Sequence, residues 1–367
     1  MARNTVPFKL ISILVLFFSC KCYCMEHNKK AIRGMFVFGS SLVDNGNNNF
    51  INTVVKSDFL PYGVDFRHGP TGRFTNGKNV IDLIGDKLHL PLIPPFYDPA
   101  TIGRRIIHGV SFSSGASGIL NETGTDLRVI GLHKQMKNFE EVTLPQLETL
   151  LGETSEKFLK DYLFVFGVGG NDYTLNFFYY PQNVTIEVFT TNLINSLSDQ
   201  LQTLYNLGAR KFVMMSVYPL GCYPSARKSH ELGAVICLRH LNEAAEIFNS
   251  KLKSLVDSIH SIMPASTIVY VDCYDITMDL IVNPASYGFE DSTNTCCEVT
   301  SESNFSACRK NGQICEDRSK FVFFDGVHPT EAVNDIIINK AFNSDLQSEV
   351  YPINIKQLLM NQLINSI

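Results

Sequence analysis

Apolar residues along the chain fall into short runs that alternate with longer, amphipathic segments. Five runs rich in β-branched and aromatic residues predict buried strands: 35-MFVFG-39, 162-YLFVFGV-168, 211-KFVMMSV-217, 267-TIVYVD-272 and 320-KFVFF-324. Segments 78–90, 185–208 and 237–264 repeat apolar residues every three or four positions, which predicts helices, and Gly208 and Pro264 end the last two. Buried strands that alternate with such helices indicate one α/β domain with a parallel sheet covered on both faces.

The first 24 residues follow a different pattern. Arg3 precedes an apolar run from Leu10 to Phe18, and Cys22 and Cys24 are small residues suited to flank a cleavage point. The run is shorter than the ~20 apolar residues of a transmembrane helix. We therefore predict a signal peptide over 1–24, with an uncleaved anchor as the alternative, and a secreted domain over 25–367 without stable membrane insertion.

Composition narrows the class of protein. Of the 367 residues, 45% are hydrophobic and 18% are charged, as in a globular chain with a large core. The net charge of -5 comes from acidic and basic side chains that are mixed along the chain. Because no basic stripe is present, nucleic acid is not expected as a partner. The oligomeric state is left open.

The cysteines beyond residue 24 all lie in the C-terminal half: Cys222, Cys237, Cys273, Cys296, Cys297, Cys308 and Cys315. In a secreted chain they predict disulfides rather than a zinc site. Their odd number leaves one thiol over, and Cys273, inside an apolar run, is the candidate. Proximity suggests Cys222 with Cys237 and Cys308 with Cys315, although six cysteines allow about fifteen pairings. Three glycosylation sequons fit the same compartment: Asn121, Asn183 and Asn304.

Residues with catalytic chemistry follow the predicted strands. In an open α/β sheet, ligands bind beyond the carboxyl ends of the strands. Ser40 and Ser41 follow the first run, 169-GGND-172 the second, and 325-DGVH-328 the last. A serine becomes a nucleophile when a histidine takes its proton and a carboxylate orients that histidine. Asp325 and His328 are spaced for this on one turn, and Pro329 is expected to start the next helix.

An acyl-transfer site also needs donors for the developing oxyanion. Asn171 offers a side-chain amide, and the glycines of 109-GVSFSSGASG-118 would let backbone N–H groups approach a substrate. The glycine-rich run has no lysine and does not fit a phosphate-binding loop. No metal or organic cofactor is required.

The blocks 36-FVFGSSLVDNGNNN-49, 72-GRFTNGKNVIDL-83, 109-GVSFSSGASGIL-120, 169-GGNDY-173, 219-PLGCYP-224, 296-CC-297 and 325-DGVHPTEAVN-334 come in the order of a known family. Through them the chain resembles the plant GDSL-type esterase/lipases of the SGNH hydrolases. The resemblance implies a single-domain three-layer α/β/α sandwich with a parallel sheet. It also implies a carboxylic ester hydrolase that acts on lipid-like or other acyl esters.

Carried over residue by residue, the resemblance makes Ser41 the nucleophile, His328 the general base and Asp325 its orienting carboxylate. The oxyanion donors would be the backbone N–H groups of Ser41 and Gly115 and the side chain of Asn171. Ser40 as the nucleophile is the alternative, and strand alternation would aim the two serines differently.

The chain departs from the family pattern at three positions. Ser40 stands where the family has aspartate, Ala116 where it has a second glycine, and Ser111 where asparagine is common. Losing a charge beside the oxyanion favours catalysis, whereas losing an acceptor loosens the loop. These departures motivate one alternative to hydrolysis, a binding glycoprotein with little turnover. A second alternative is acyl transfer to a hydroxyl at the same site, because the catalytic residues do not distinguish it from hydrolysis.

Overall fold

The computed structural model describes residues 32–181, 183–228, 237–300 and 307–364. The predicted signal peptide over 1–24 and the sequon at Asn304 lie outside these ranges. The sequon residues Asn121 and Asn183 are both exposed. From Ile32 onward the chain forms one compact unit.

The described residues contain a central sheet of five strands in the order β1-β2-β3-β4-β7. Strands β1 to β4 are parallel, and the short β7 runs antiparallel to β4 at the edge. Every residue of β1, β2 and β3 is buried, and successive side chains point to opposite faces, so the sheet is covered on both faces. The strands are β1 Gly34–Gly39, β2 Tyr162–Gly167, β3 Lys211–Met215, β4 Thr267–Val271, β5 Asp291–Thr295, β6 Phe321–Phe323 and β7 Val350–Tyr351.

The register of the strands places aromatic side chains next to one another in the core. Phe36 pairs with Phe164 across β1 and β2, and Phe164 pairs with Phe212 across β2 and β3. The ring centroids lie 5.5 and 5.7 Å apart, a separation at which aromatic rings attract one another. The predicted fold, an α/β domain with a mostly parallel sheet, is confirmed.

The last predicted strand corrects the expectation of one continuous sheet. Residues Phe321–Phe323 form β6, but β6 pairs in parallel with β5 in a separate two-stranded sheet. The carbonyl groups of Phe323 in β6 and of Phe324, the next residue, accept from the cysteine-rich segment that follows β5: Cys296 N–H donates to Phe323 and Cys297 N–H to Phe324. The strand and segment that pair with β6 are therefore not part of the central sheet.

The three helices expected from periodicity are present: α1 Val80–Lys87, α6 Ile186–Leu207 and α8 Arg239–Ile262. Asn79 caps α1, and Gly208, with φ of +115°, ends α6. The remaining helices are α2 Leu132–Asn138, α3 Leu144–Leu151, α4 Ser155–Phe158, α5 Gly170–Asp172, α7 Pro224–Lys228, α9 Cys273–Val282, α10 Glu331–Asn343 and α11 Ile355–Ile364. Among the described residues, no helix is both long and apolar enough to cross a membrane.

The helix after the Asp325–His328 turn starts later than expected. Helix α10 begins at Glu331 with Thr330 at its N-cap position, so Pro329 does not start it. Instead the chain folds back on β6, because Phe324 N–H donates to the His328 carbonyl at 2.8 Å and Thr330 N–H to the Val322 carbonyl at 3.1 Å. These two bonds hold the turn that carries His328.

The disulfides correct one of the two suggested pairings. Cys222–Cys237 is present, and Cys273 is buried without a disulfide partner in the described part of the chain. The pair Cys308–Cys315 is wrong: the bonds are Cys296–Cys315 and Cys297–Cys308. Backbone bridges join 297 to 314 and 299 to 308, so the two segments lie side by side and each cysteine meets one across the ladder.

Candidate active site

Strand β1 delivers two serines to the carboxyl edge of the sheet. It ends at Gly39, whose φ of +140° is rarely adopted by L side chains, and a Cβ there would lie 2.2 Å from the Gly167 carbonyl oxygen. Glycine is therefore required at this turn. Ser40 N–H donates to the same carbonyl at 3.0 Å, and the half-buried Ser41 begins a short 3-10 turn.

Three side chains form a hydrogen-bonded series at this edge. Ser41 Oγ lies 2.8 Å from His328 Nε2, although 287 positions separate the two residues. On the other side of the ring, His328 Nδ1 lies 2.8 Å from Asp325 Oδ2 and 2.9 Å from Oδ1. The structure thus brings together the predicted nucleophile, base and carboxylate.

The two serines differ in what they contact. Ser40 Oγ makes a weak contact, 3.5 Å from the Gly167 carbonyl oxygen, and the residue is 8% exposed. Ser41 Oγ contacts the histidine. This geometry favours Ser41 over Ser40 as the nucleophile.

The Asp325 carboxylate is fully buried and has several donors besides the histidine ring. Oδ1 accepts from Val327 N–H at 2.8 Å and from His328 N–H at 2.7 Å. Oδ2 accepts from the Tyr62 hydroxyl at 2.7 Å. Burial, reinforced by the neighbouring Asp325, raises the pKa of Tyr62 well above its usual value, so the phenol stays protonated. Sequence reasoning missed Tyr62, because no local pattern links it to a carboxylate 263 positions away.

Segment 72–83 supports the turn that carries Asp325 and His328. Thr75 Oγ1 donates to the Pro329 carbonyl at 2.9 Å, and Asn76 Oδ1 accepts from Glu331 N–H at 2.9 Å. The Phe74 ring lies 5.1 Å from the His328 ring, centroid to centroid. The block 72-GRFTNGKNVIDL-83, known from sequence only as a family motif, is therefore a support for the histidine.

The asparagine-rich loop after the serines is also structural. Asn47 Nδ2 donates to the carbonyls of Ser111 and Ser113, each at 2.8 Å. The buried Asp44 carboxylate accepts from Gly46 and Asn47 N–H groups at 2.8 and 2.9 Å. Burial raises the Asp44 pKa to about 6, while these backbone bonds act in the opposite direction. The loop thereby fixes the turn at Ser40 and Ser41 against residues 109–118.

The three expected oxyanion donors differ in the hydrogen bonds they already make and in their position relative to Ser41. The Ser41 N–H is the first of its 3-10 turn, so the turn itself does not use it. Asn171 Nδ2 donates to the Ser117 carbonyl at 2.9 Å, and Asn171 lines the same surface pocket as Ser41. Gly115 N–H donates to Asp44 Oδ2 at 3.0 Å, and Gly115 does not line the pocket. The role of all three as oxyanion donors stays a prediction.

Ala116 adopts the backbone angle that glycine would allow. Its φ is +66°, in the left-handed region, and its methyl group packs with Val55 and Phe74. The alanine therefore neither prevents this angle nor projects into the pocket beside Ser41.

A pocket of about 60 Å³ opens beside Ser41 and His328. Its far wall comes from the end of β3 and the loop that follows it: Met215, Ser216, Val217, Tyr218, Leu220 and Tyr223. Sequence analysis noted 219-PLGCYP-224 only as a family block. Among the described residues, no group of three or more His, Cys, Asp or Glu side chains is arranged to hold a metal ion.

A serine at the carboxyl edge of a parallel sheet, bonded to a histidine that a buried carboxylate orients, is the arrangement of serine hydrolases. Residues 35–341 match the family model of the GDSL-like lipase/acylhydrolases, and the chain belongs to this family. The resemblance expected from sequence is confirmed. Membership makes the chain a carboxylic ester hydrolase of the serine type, with small-molecule esters as substrates.

Curated relatives agree. GDSL esterase/lipase At1g29670 of Arabidopsis thaliana is 39% identical over 331 residues, which cover 88% of this chain and 90% of the relative. GDSL esterase/lipase At4g16230 of the same plant is 39% identical over 360 residues, covering 95% and 96%. GDSL esterase/lipase 7 is 37% identical over 337 residues, covering 88% and 91%.

Proposed function

We propose that this protein is a secreted esterase that cleaves lipid-like or other acyl esters through an acyl-enzyme on Ser41. The observation that carries the proposal is the contact series from Ser41 Oγ through His328 to Asp325, each step 2.8 Å. Ser41 attacks the ester carbonyl while His328 Nε2 accepts its proton. His328 then donates that proton to the leaving alcohol, and Asp325 keeps the Nδ1 proton in place.

The tetrahedral intermediate needs donors at its oxyanion. We assign this role to the Ser41 N–H and the Asn171 side chain, which flank the pocket. The third donor, Gly115 N–H, exchanges its bond to Asp44 for one to the oxyanion if it takes part. Water then attacks the acyl-enzyme, with His328 as its base.

Secretion is part of the proposal. Three buried or half-buried disulfides among the described cysteines are typical of an oxidising compartment. Asn121 and Asn183 are exposed, as glycosylation requires. The signal peptide over 1–24 and the sequon at Asn304 complete this assignment.

The test uses two adjacent serines as a matched pair. Ser41→Ala should lower kcat on short acyl esters by about 10³-fold or more, because the nucleophile is lost. It should also abolish labelling by a serine-directed fluorophosphonate, whereas Ser40→Ala should remain labelled. Turnover by Ser41→Ala at the wild-type rate contradicts the mechanism, and loss of labelling in Ser40→Ala alone would assign the nucleophile to Ser40. Products formed with an added alcohol separate hydrolysis from acyl transfer.

A further inference from the structure

Tyr62 is a buried hydroxyl group whose two hydrogen-bonding directions are both used. Its O–H donates to Asp325 Oδ2 at 2.7 Å, and its oxygen accepts from Cys308 N–H at 3.0 Å. The side chain is fully buried. Cys308 is bonded to Cys297.

The ring of Tyr62 is held by aromatic neighbours. Phe59, Phe74 and Phe324 lie 5.5, 6.1 and 5.7 Å from it, centroid to centroid, and each packs edge to face. Tyr62 and Phe324 share one buried cluster with the cysteines of both C-terminal disulfides. The hydroxyl is therefore fixed in place by packing as well as by hydrogen bonds.

We propose that Tyr62 is a positioning residue for the ester hydrolysis at Ser41, and that the Cys297–Cys308 disulfide acts through it by fixing the Cys308 N–H. The inference rests on the proposed function. The series then runs from the disulfide through Cys308 N–H, the Tyr62 hydroxyl and the Asp325 carboxylate to His328.

The physical reason lies in the geometry of the phenol oxygen. Since Cys308 N–H occupies one side of that oxygen, the O–H points to Asp325. The donated bond holds Oδ2, the same oxygen that lies 2.8 Å from His328 Nδ1. It also draws negative charge away from the histidine. Removing it should leave the carboxylate less well oriented and raise the proton affinity of the imidazole.

Besides Tyr62, Tyr223 interacts electrostatically with this carboxylate. Tyr223 lies on the pocket wall, and burial, with smaller effects of Cys273 and Asp325, raises its pKa far above the working range. The aromatic ring against His328 is the uncharged Phe74. A shift in the pH profile of a Tyr62 variant therefore reports on Asp325 and His328.

The experiment compares Tyr62→Phe with Tyr162→Phe. Tyr162 is equally buried and its hydroxyl donates to the Ile107 carbonyl at 2.6 Å, at the opposite end of β2 from the site. For Tyr62→Phe we expect kcat about tenfold or more below wild type with KM nearly unchanged, and an acid limb of kcat/KM at higher pH. Tyr162→Phe should keep the wild-type pH profile and kcat. Equal behaviour of the two variants overturns the proposal.

The disulfide is tested in the same assay. The paired change Cys297→Ser with Cys308→Ser should shift the acid limb in the same direction, and should add no further shift in the Tyr62→Phe background. An equal additional shift in that background overturns the role of the disulfide. Thermal unfolding and fluorophosphonate titration give the folded, active fraction of each variant.

A further probe covers the case in which Tyr62→Phe does not fold. A ring-fluorinated tyrosine at position 62 keeps the packing and donates a stronger hydrogen bond, so it should move the acid limb to lower pH; no movement overturns the proposal. If Ser41→Ala retains activity, the proposed function itself fails. If Ser41→Ala is inactive and the Tyr62 variants match Tyr162→Phe, only the positioning role fails.

Discussion

Replacing Asp325 by asparagine tests whether the carboxylate sets the tautomer of His328. Oδ1 of the native side chain accepts two backbone N–H groups, from Val327 and His328. The amide oxygen of Asp325→Asn must take this position, because both partners are donors. The amide NH2 then faces Tyr62 and His328 Nδ1, where the native structure has an acceptor.

An NH2 group in that position donates to His328 Nδ1, whereas the amide oxygen in the Oδ1 position, 2.9 Å from Nδ1, competes for an Nδ1 proton. We expect the NH2 contact to prevail, because an Nδ1–H facing an NH2 group at 2.8 Å is repulsive, and this places the ring proton on Nε2. Nε2 then donates to Ser41 Oγ instead of accepting its proton. We expect kcat to fall by about 10⁴-fold, as at other Ser-His-Asp sites, which corresponds to about 5.4 kcal/mol in the activation barrier. The Tyr62 hydroxyl also loses its acceptor, which should lower the free energy of unfolding by about 1–3 kcal/mol.

Steady-state kinetics on a short acyl ester and urea unfolding measure the two effects separately. Asp272→Asn is the matched control, since Asp272 also accepts from a tyrosine, Tyr270 at 3.3 Å, and a backbone N–H, Asp275 at 3.0 Å. Neither of these two hydrogen-bond partners of Asp272 is a histidine, so kcat of Asp272→Asn should stay close to that of the wild type. A folded Asp325→Asn enzyme with wild-type kcat would refute the tautomer argument.

Two further predictions concern buried charge. Arg73 and Asp82 form a bidentate pair at 2.6 and 2.8 Å, with side chains 5% and 0% exposed. Arg73→Ala should therefore lower the free energy of unfolding in urea by about 3–5 kcal/mol. The exposed pair of Arg309 with Glu298 is the control, and an equal loss in Arg309→Ala would contradict the burial argument. Burial raises the pKa of Asp172 from 3.8 to about 6, so the folded protein keeps this proton to a higher pH than the unfolded chain. The stability that the protonated Asp172 contributes at low pH is therefore lost as pH rises from about 4 to about 6. Relative to Asp172→Asn, the wild type should lose on the order of 2 kcal/mol between pH 4 and pH 7. Parallel pH profiles of unfolding for the two proteins would show that Asp172 does not titrate in this way.

Much of the architecture was predictable because it depends on local patterns. A run such as 35-MFVFG-39 is apolar at every position, which is typical of a strand buried on both faces, and it forms β1. The stripe in 185–208 needs one apolar helix face, and Gly208 ends α6 because it adopts the left-handed conformation. The candidate residues followed from the rule that chemistry lies after the strands, together with the family motifs.

What sequence left open depends on contacts between distant segments. The last predicted strand, β6, has the same apolar pattern as the other predicted strands, yet its backbone pairs with β5, because hydrophobic pattern does not specify a hydrogen-bond partner. Proximity suggested Cys308–Cys315, whereas the backbone ladder places Cys308 against Cys297.

For this protein, the sequence by itself determined strands β1 to β4 and β6, the main helices and the residues capable of ester chemistry, but not strands β5 and β7. Only the tertiary structure decided that Asp325 takes a hydrogen bond from Tyr62, and that Gly115 N–H is bonded to Asp44. Periodicity and motifs report on neighbours along the chain. The donors and acceptors that orient a buried carboxylate come from segments that meet only when the chain has folded.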